Sequence, residues 1–279
     1  MTRTSREVLL HLLILAILVV ALFPIFWMVL NSFKPMSEIF VRTPRVFASE
    51  YTLDNYRQVF ALRSFPRNLF NSVLVATATS ATAVPLGFLA AYAVVRYQFA
   101  GKSLFLAFLL ILQMIPSVVL ISPLARVVRF FQAYDTYHAV VFIEMGFAIP
   151  ICIWLLIGFI KESCPRELDE SAMMDGCGTL GILLRIVLPL ARAGVVTVFL
   201  FVFLLSWESL MIPLTFLGSR SMQTVPLVIA SLHGQGPGGS PPWDTLMAMA
   251  VVYSLPIILM AFVLQRHFVK GLVSGAVKF

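Results

Sequence analysis

Six acidic residues define what chemistry this chain can do. Glu167, Asp169, Glu170 and Asp175 crowd into nine positions, and Glu144 and Glu208 each interrupt a long apolar run. The crowded four belong to a chain in which only 12% of residues are charged. They cannot be buried in hydrocarbon and must face water or a water-soluble partner. The isolated two are costly, about 2.5–3.5 kcal/mol each at the centre of a membrane helix unless paired or hydrated. They therefore face a cavity or a neighbouring subunit. Trp207 and Ser209 flank Glu208, and an aromatic face beside polar groups can hold a sugar by stacking and hydrogen bonds. We expect Glu144, Trp207, Glu208 and Ser209 to line a solute path, the alternative being structural ion pairs or positions near the membrane interface. No catalytic set accompanies these acids. The sequence has no G-x-x-x-x-G-K-[ST] phosphate loop, no H-E-x-x-H and no nucleophile–base pair, and its four histidines are scattered. Cys152, Cys164 and Cys177 lack C-x-x-C or metal-ligand spacing and read as free thiols. The chain is expected to bind no metal or cofactor and to hydrolyse nothing itself.

The elements that carry these residues are membrane helices. With 60% hydrophobic residues, 24 Phe and a mean hydropathy of +0.95, the chain has more apolar surface than a soluble core of 279 residues can hide. A crossing takes about 20 apolar residues, and helices satisfy their own backbone groups in lipid. The runs are too continuous for the alternating pattern of a β-barrel. A net charge of +7 suits loops lying against anionic headgroups. Nucleic acid is excluded as a partner, because no basic, aromatic-interleaved surface is visible.

Six spans follow, at about 8–30, 69–95, 104–124, 139–160, 194–217 and 245–264, in one transmembrane domain covering 1–279. The first is too long for a signal-peptide core and remains as an anchor. Between the first two lies a polar, basic stretch in which Leu53, Tyr56 and Phe60 are expected to share one face of a short helix. Small residues and Gly87 in the second run suit close helix packing. Gln113, Pro116 and Pro123 interrupt the third. A flexible loop from Gly218 through the Gly- and Pro-rich run 234–242 precedes the last run, and its composition is expected to prevent regular structure. Six spans put both termini on one side, with the 96–102 and 161–192 connections. That side carries 11 Lys and Arg, against 3 on the other once the long 31–68 loop is left out, so it is assigned to the cytoplasm. Arg126 and Arg129 run against this bias.

The acidic stretch itself reads as helix, turn, helix. Pro165 suits the first helical position, and Glu167, Asp169 and Glu170 then lie near the positive end of the helix dipole. The helix should run to about Asp175, with Gly176 reversing the chain in a left-handed conformation. A second segment is expected from Thr179 as cap to Pro189. Glu170 and Asp175 supply charge, and Leu168, Ala172 and Ile186 packing.

Glu170-Ser171-Ala172, then Gly176, then nine residues and Ile186-x-Leu188-Pro189 resembles the EAA loop, E-A-A-x-x-x-G-x(9)-I-x-L-P, of binding-protein-dependent ABC importers. Ser171 stands for the usual alanine and Leu183 for a frequent phenylalanine. Further matches cover nearly the whole chain: Asn55-Tyr56, Asn71-Ser72, Ala91-Tyr92 with Arg96, Pro116, Asp135-Thr136, Trp207, Thr224-Val225-Pro226, and the tail 274–278. They are similar to the second permease of maltose-type systems, although Glu208 stands where asparagine is usual. The resemblance implies an all-α membrane protein, the type I ABC importer permease fold, with six transmembrane helices and a cytoplasmic coupling loop at 165–189. It implies that Glu170, Ser171, Ala172, Asp175, Gly176, Ile186, Leu188 and Pro189 couple the chain to an ATPase. The implied partners are a homologous second permease, two ATP-binding cassette subunits that hydrolyse ATP with Mg, an extracytoplasmic solute-binding protein and the bilayer of a bacterial or archaeal inner membrane. The imported solute would be a sugar or sugar derivative. The competing reading is a proton-coupled secondary transporter using Glu144 and Glu208.

Overall fold

The computed structural model describes residues 3–276 apart from 40, 42, 44, 62, 63, 237 and 238, with only the backbone described for 3–6 and 263–276. Every regular element among them is helical. Among the described residues five helices are long and apolar enough to cross a membrane, six if a sharply bent pair counts as one span. The chain divides into two compact units, one of residues 1–66 with 228–257 and one of 67–227 with 258–279.

In the first unit, helix α1 (Arg3–Ser32) carries an apolar window with no part buried. After it come α2 (Met36–Ile39) and α3 (Asp54–Ala61). The buried side of α3 is Asn55 and Val59, while Leu53 and Phe60 are exposed, so the inward face differs from the expected Leu53–Tyr56–Phe60 stripe. The cause is a helix end in need of partners. Asn55 Nδ2 donates to the carbonyls of Ser32 (2.9 Å) and Lys34 (2.8 Å), which close α1, and the Ser32 and Tyr56 hydroxyls meet at 2.7 Å. The same unit holds the first part of α13 (Trp243–Ala276).

The second unit is organised by α4 (Phe65–Arg96, from Arg67 onward), α7 (Tyr137–Ser163) and α10 (Leu188–Trp207). Gly87 lets α4 and α7 touch: a Cβ there would lie 2.4 Å from Cys152 Cβ, an overlap no side chain could accept. The expected third run, 104–124, is two helices, α5 (Lys102–Met114) and α6 (Ser117–Phe130), bent by 97°. Ile115 takes an extended conformation before Pro116, as residues preceding proline do, and the helical ladder ends there. Arg126 and Arg129 lie exposed on α6, beyond the bend. The expected fifth run, 194–217, ends its long helix at Trp207, and Met211–Phe216 forms a separate short helix, α11. The loop expected from 218 to 242 is not wholly irregular: Val225–Ser231, ahead of the Gly- and Pro-rich run, forms the short helix α12. The last expected span, 245–264, lies within the longer α13, whose final turns and the tail 277–279 pass outside the described side chains.

Three of the matched dipeptides meet in this unit. Asn71 Nδ2 donates to the carbonyls of Ser221 and Gln223, each at 2.9 Å, and the Ser72 hydroxyl accepts from the Val225 backbone N–H at 2.9 Å. Asp135 has a left-handed backbone, φ 59°, and its carboxylate accepts from the backbone N–H groups of Gly218 and Ser219 and from the Ser219 hydroxyl. Those donors, the Ser219 hydroxyl first, hold the Asp135 carboxyl below the usual aspartate range. The segment 218–225 is thereby pinned to the ends of α4 and α7.

Candidate functional site

The acidic stretch folds as a helical hairpin whose first arm lies between the spans and whose second arm opens the apolar stretch Thr179–Trp207. Helix α8 (Arg166–Met174) starts after Pro165, which is its N-cap rather than its first residue, and Gly176 adopts φ 80° as the reversal requires. The second segment departs from expectation at both ends. Gly178, not Thr179, caps α9 (Thr179–Ile182), and Pro189 does not stop the chain. Instead a π-helical turn, Leu183–Val187, leads directly into α10. Within a regular α-helix the Pro189 ring would clash with the carbonyl four residues earlier. The widened turn in front of it relieves that contact and lets hairpin and spanning helix form one continuous element.

The inward side of α8 holds Ala172 as expected, but next to it sits Asp169, 2% exposed, where Leu168 was expected. Leu168 is 42% exposed. A carboxylate can take the inner position because Arg96, the last residue of α4, meets it there. Arg96 Nε lies 2.6 Å from Asp169 Oδ2, and Nη2 donates to Oδ1 at 3.1 Å. The same Nη2 donates to the Cys164 carbonyl at 2.8 Å, at the end of α7, and the Tyr92 hydroxyl donates to Asp169 Oδ2 at 3.3 Å. Both side chains are buried, with Nη2 hydrogen-bonded and Nε held in charge contact without a hydrogen bond, and removing either partner would leave an uncompensated buried charge. Cys164 is buried against this knot, its Sγ 3.7 Å from the Val187 carbonyl, and burial pushes its thiol above the usual cysteine range. Ala172, Ile182, Leu183 and Val187 belong to one apolar cluster with Tyr92, Val94, Leu156 and Ile160. The hairpin is thus joined rigidly to α4, α7 and α10.

Its outer side is different. Glu170 and Asp175 are exposed, and Glu170 makes only a loose pair with Arg166 at 3.6 Å. Ser171 is exposed and donates to the Glu167 carbonyl at 2.8 Å, Ile186 and Leu188 are half-buried, and Pro189 is exposed. Among the exposed acids stand large apolar side chains: Met174 is 88% exposed, Leu180 66%, with Met173 and Leu184 beside them. Met173 and Met174 lie on α8, outside the spans, where exposed apolar side chains among acids are characteristic of a protein contact.

The four residues expected along a solute path separate into two pairs. Glu144 and Ser209 line one cavity of about 420 Å³, with Thr79, Gln113, Ser117 and Ser206. Glu144 Oε2 accepts from the Ser206 and Thr79 hydroxyls, the latter at 3.3 Å, and its Oε1 is buried with no donor among the described residues. Trp207 is instead packed in the core, stacked on Phe203 with centroids 5.5 Å apart, and Glu208 is exposed at the end of α10. A larger cavity of about 860 Å³ between α5, α6 and α7 has Gln113 and His138 as its polar lining residues and suits hydrocarbon rather than a hydroxylated solute. Among the described residues no three His, Cys, Asp or Glu side chains gather as a metal site.

Comparison with known proteins gives one consistent answer. The family described as "Binding-protein-dependent transport system inner membrane component" matches residues 83–274, more than half of the chain. The chain is 36% identical to the trehalose transport system permease protein SugB of Mycobacterium tuberculosis over 92% of its own length and 93% of the relative's. It is 34% identical to the trehalose/maltose transport system permease protein MalG of Thermococcus litoralis, over 93% and 92%. The sulfoquinovosyl glycerol transport system permease protein SmoH of Agrobacterium fabrum is 31% identical over 94% and 90%. In fold, the chain is similar to a chain in the crystal structure of a bacterial ABC transporter involved in import of the acidic polysaccharide alginate, with a TM-score of 0.77, 16% identity, and 96% and 99% of the two chains covered.

Proposed function

This chain belongs to the family of binding-protein-dependent transport system inner membrane components, and from that premise we propose how it works. It is a non-catalytic, multi-pass membrane subunit of an ABC-type importer for carbohydrate. In our reading it forms half of the pore with a homologous second permease, and two cassette subunits outside this chain hydrolyse ATP with Mg. A solute-binding protein delivers the sugar on the opposite face. Both termini and the 165–189 hairpin lie on the cytoplasmic side.

The observation that carries this reading is the two-sided hairpin. Its outer side offers Glu170, Asp175 and the exposed Met173, Met174, Leu180 and Leu184, a charged and apolar contact surface for an ATPase. Ser171, Ala172 and Gly176 fix the shape of that surface. Ile186, Leu188 and Pro189 carry it into α10, and Arg96–Asp169 carries it into α4. A rigid-body movement of the ATPase would therefore move three spanning helices together. Glu144 and Ser209 line the solute path in this reading, and Glu208 lies exposed one helical end away.

Reconstitution with the partner permease, cassette subunits and binding protein tests the proposal. Uptake should require ATP, survive collapse of the proton gradient, and be abolished by Glu170→Lys while the subunit stays in the membrane. Uptake that persists without ATP and stops with the gradient would overturn it.

A further inference from the structure

The cavity around Glu144 has features that a mere structural polar cluster does not need. Its polar residues come from separate elements: Thr79 from α4, Glu144 from α7, Ser206 from the end of α10 and Ser209 from the turn after it. Gln113 and Ser117 stand on either side of the break at Ile115–Pro116. Interrupted backbone at membrane depth is tolerated where it lines a cavity, because the freed polar groups then have partners. The Ser206 and Thr79 hydroxyls already occupy one oxygen of Glu144, and Ser209 also hydrogen-bonds the carboxyl. The other oxygen, on a side chain only 6% exposed, lacks a donor among the described residues. A carboxylate accepts and does not donate, so what completes it must bring donors.

The lining also excludes one class of ligand. It contains no lysine, arginine or histidine, and the one charged group is itself an acid. In a low-dielectric wall a carboxylate attracts hydroxyl donors and repels a second carboxylate, sulfonate or phosphate. Ser117, Ser209 and Gln113 can each donate or accept, which matches the vicinal hydroxyls of a sugar ring. A volume of about 420 Å³ falls within the range of small-molecule sites.

We propose that this cavity is a saccharide-hydroxyl subsite belonging to this chain, with Glu144 as its central acceptor, and that it selects neutral saccharides against acidic ones. The inference rests on the transport function proposed above and adds the ligand class and the residues that read it. Gln113, Ser117 and Ser209 hold the sugar, while Thr79 and Ser206 position the carboxyl.

Solute protection tests this in the complete reconstituted complex. In a Ser117→Cys variant carrying Cys177→Ser, the rate of alkylation at position 117 is followed with maltose or trehalose as neutral probes and digalacturonate as the acidic one. Cys152 and Cys164 are buried and serve as the unreactive background. The neutral probes should slow alkylation and digalacturonate should not. Glu144→Gln should weaken protection roughly tenfold or more, the size expected when a hydrogen bond to a charged group is lost. Ser209→Ala, at the cavity edge, supplies a second reading should Glu144→Gln fail to assemble. Equal protection by both probe classes, no protection by either, or protection unchanged in the variants overturns the proposal. ATP hydrolysis stimulated by loaded binding protein is measured alongside. Its absence in the complex with Glu144 intact would strike the transport reading itself, whereas normal stimulation without selective protection strikes only the subsite.

Discussion

Asp169 and Glu144 are both buried carboxylates, 2% and 6% exposed, and they are satisfied in opposite ways. Asp169 lies outside the spans, and a guanidinium and a phenol engage both its oxygens. Glu144 lies within a span, where two hydroxyls engage one oxygen and leave the other open. A carboxylate matched by a cation is committed to holding two elements together. One matched by hydroxyls on a single side retains capacity for something that arrives. In the function proposed above, the difference separates the part of the chain that transmits motion from the part that meets solute.

The comparison breaks first at Asp169. Replacing it with alanine strands a buried guanidinium and should destabilise the subunit by about 3–5 kcal/mol, seen as a lower melting temperature of the purified complex and loss of uptake. The double variant Arg96→Met/Asp169→Leu should regain most of that stability, since apolar residues of similar volume often replace buried pairs without loss. A double variant as unstable as the single one would mean that the pair is not the joint.

A smaller effect is expected at the turn. Nothing lies within 4 Å of the position a Cβ would take at Gly176, so Gly176→Ala isolates the left-handed backbone cost, about 1–2 kcal/mol. Thermal unfolding of the complex measures it. The smallest change in stability belongs to Glu144→Gln. That substitution keeps the shape and the bonds to Thr79 and Ser206 and should shift stability by less than about 1 kcal/mol, while neutral-sugar protection falls. A loss as large as that of Asp169→Ala would erase the distinction between the two acids.

Much of the hairpin was legible in the sequence because its signals are local. Pro165 opening a helix and Gly176 reversing the chain each act within a few residues, and the structure follows both to within a residue, whereas Leu188-Pro189 continues into α10 instead of ending the hairpin. Asp169 was not legible as the inward residue. It is one acid among four in the sequence, and its partner Arg96 lies 73 positions away. The signal available was the pairing of Asp169 with Ala172 at i,i+3 and an arginine closing the second apolar run. Proline was ambiguous for a related reason. Pro24, Pro85, Pro123, Pro150 and Pro256 sit inside helices, while Pro116 ends one with a 97° bend. Tertiary packing decides which of them can keep a helix, and no local pattern distinguishes them. Trp207 beside Glu208 and Ser209 looked like a sugar platform by adjacency. Helical geometry instead turns consecutive residues about 100° apart, sending Trp207 into the core and Glu208 outward.

The hairpin can act as a lever only if it is fixed to α4. The most direct test is the amount of sugar imported per ATP hydrolysed by the reconstituted complex carrying Asp169→Asn, which keeps the side-chain shape and removes the charge that holds Arg96. Loosening this joint should leave ATP hydrolysis running while uptake falls, so that the ratio drops well below that of the unaltered complex. A ratio unchanged in a fully assembled, ATP-hydrolysing variant would contradict the central claim.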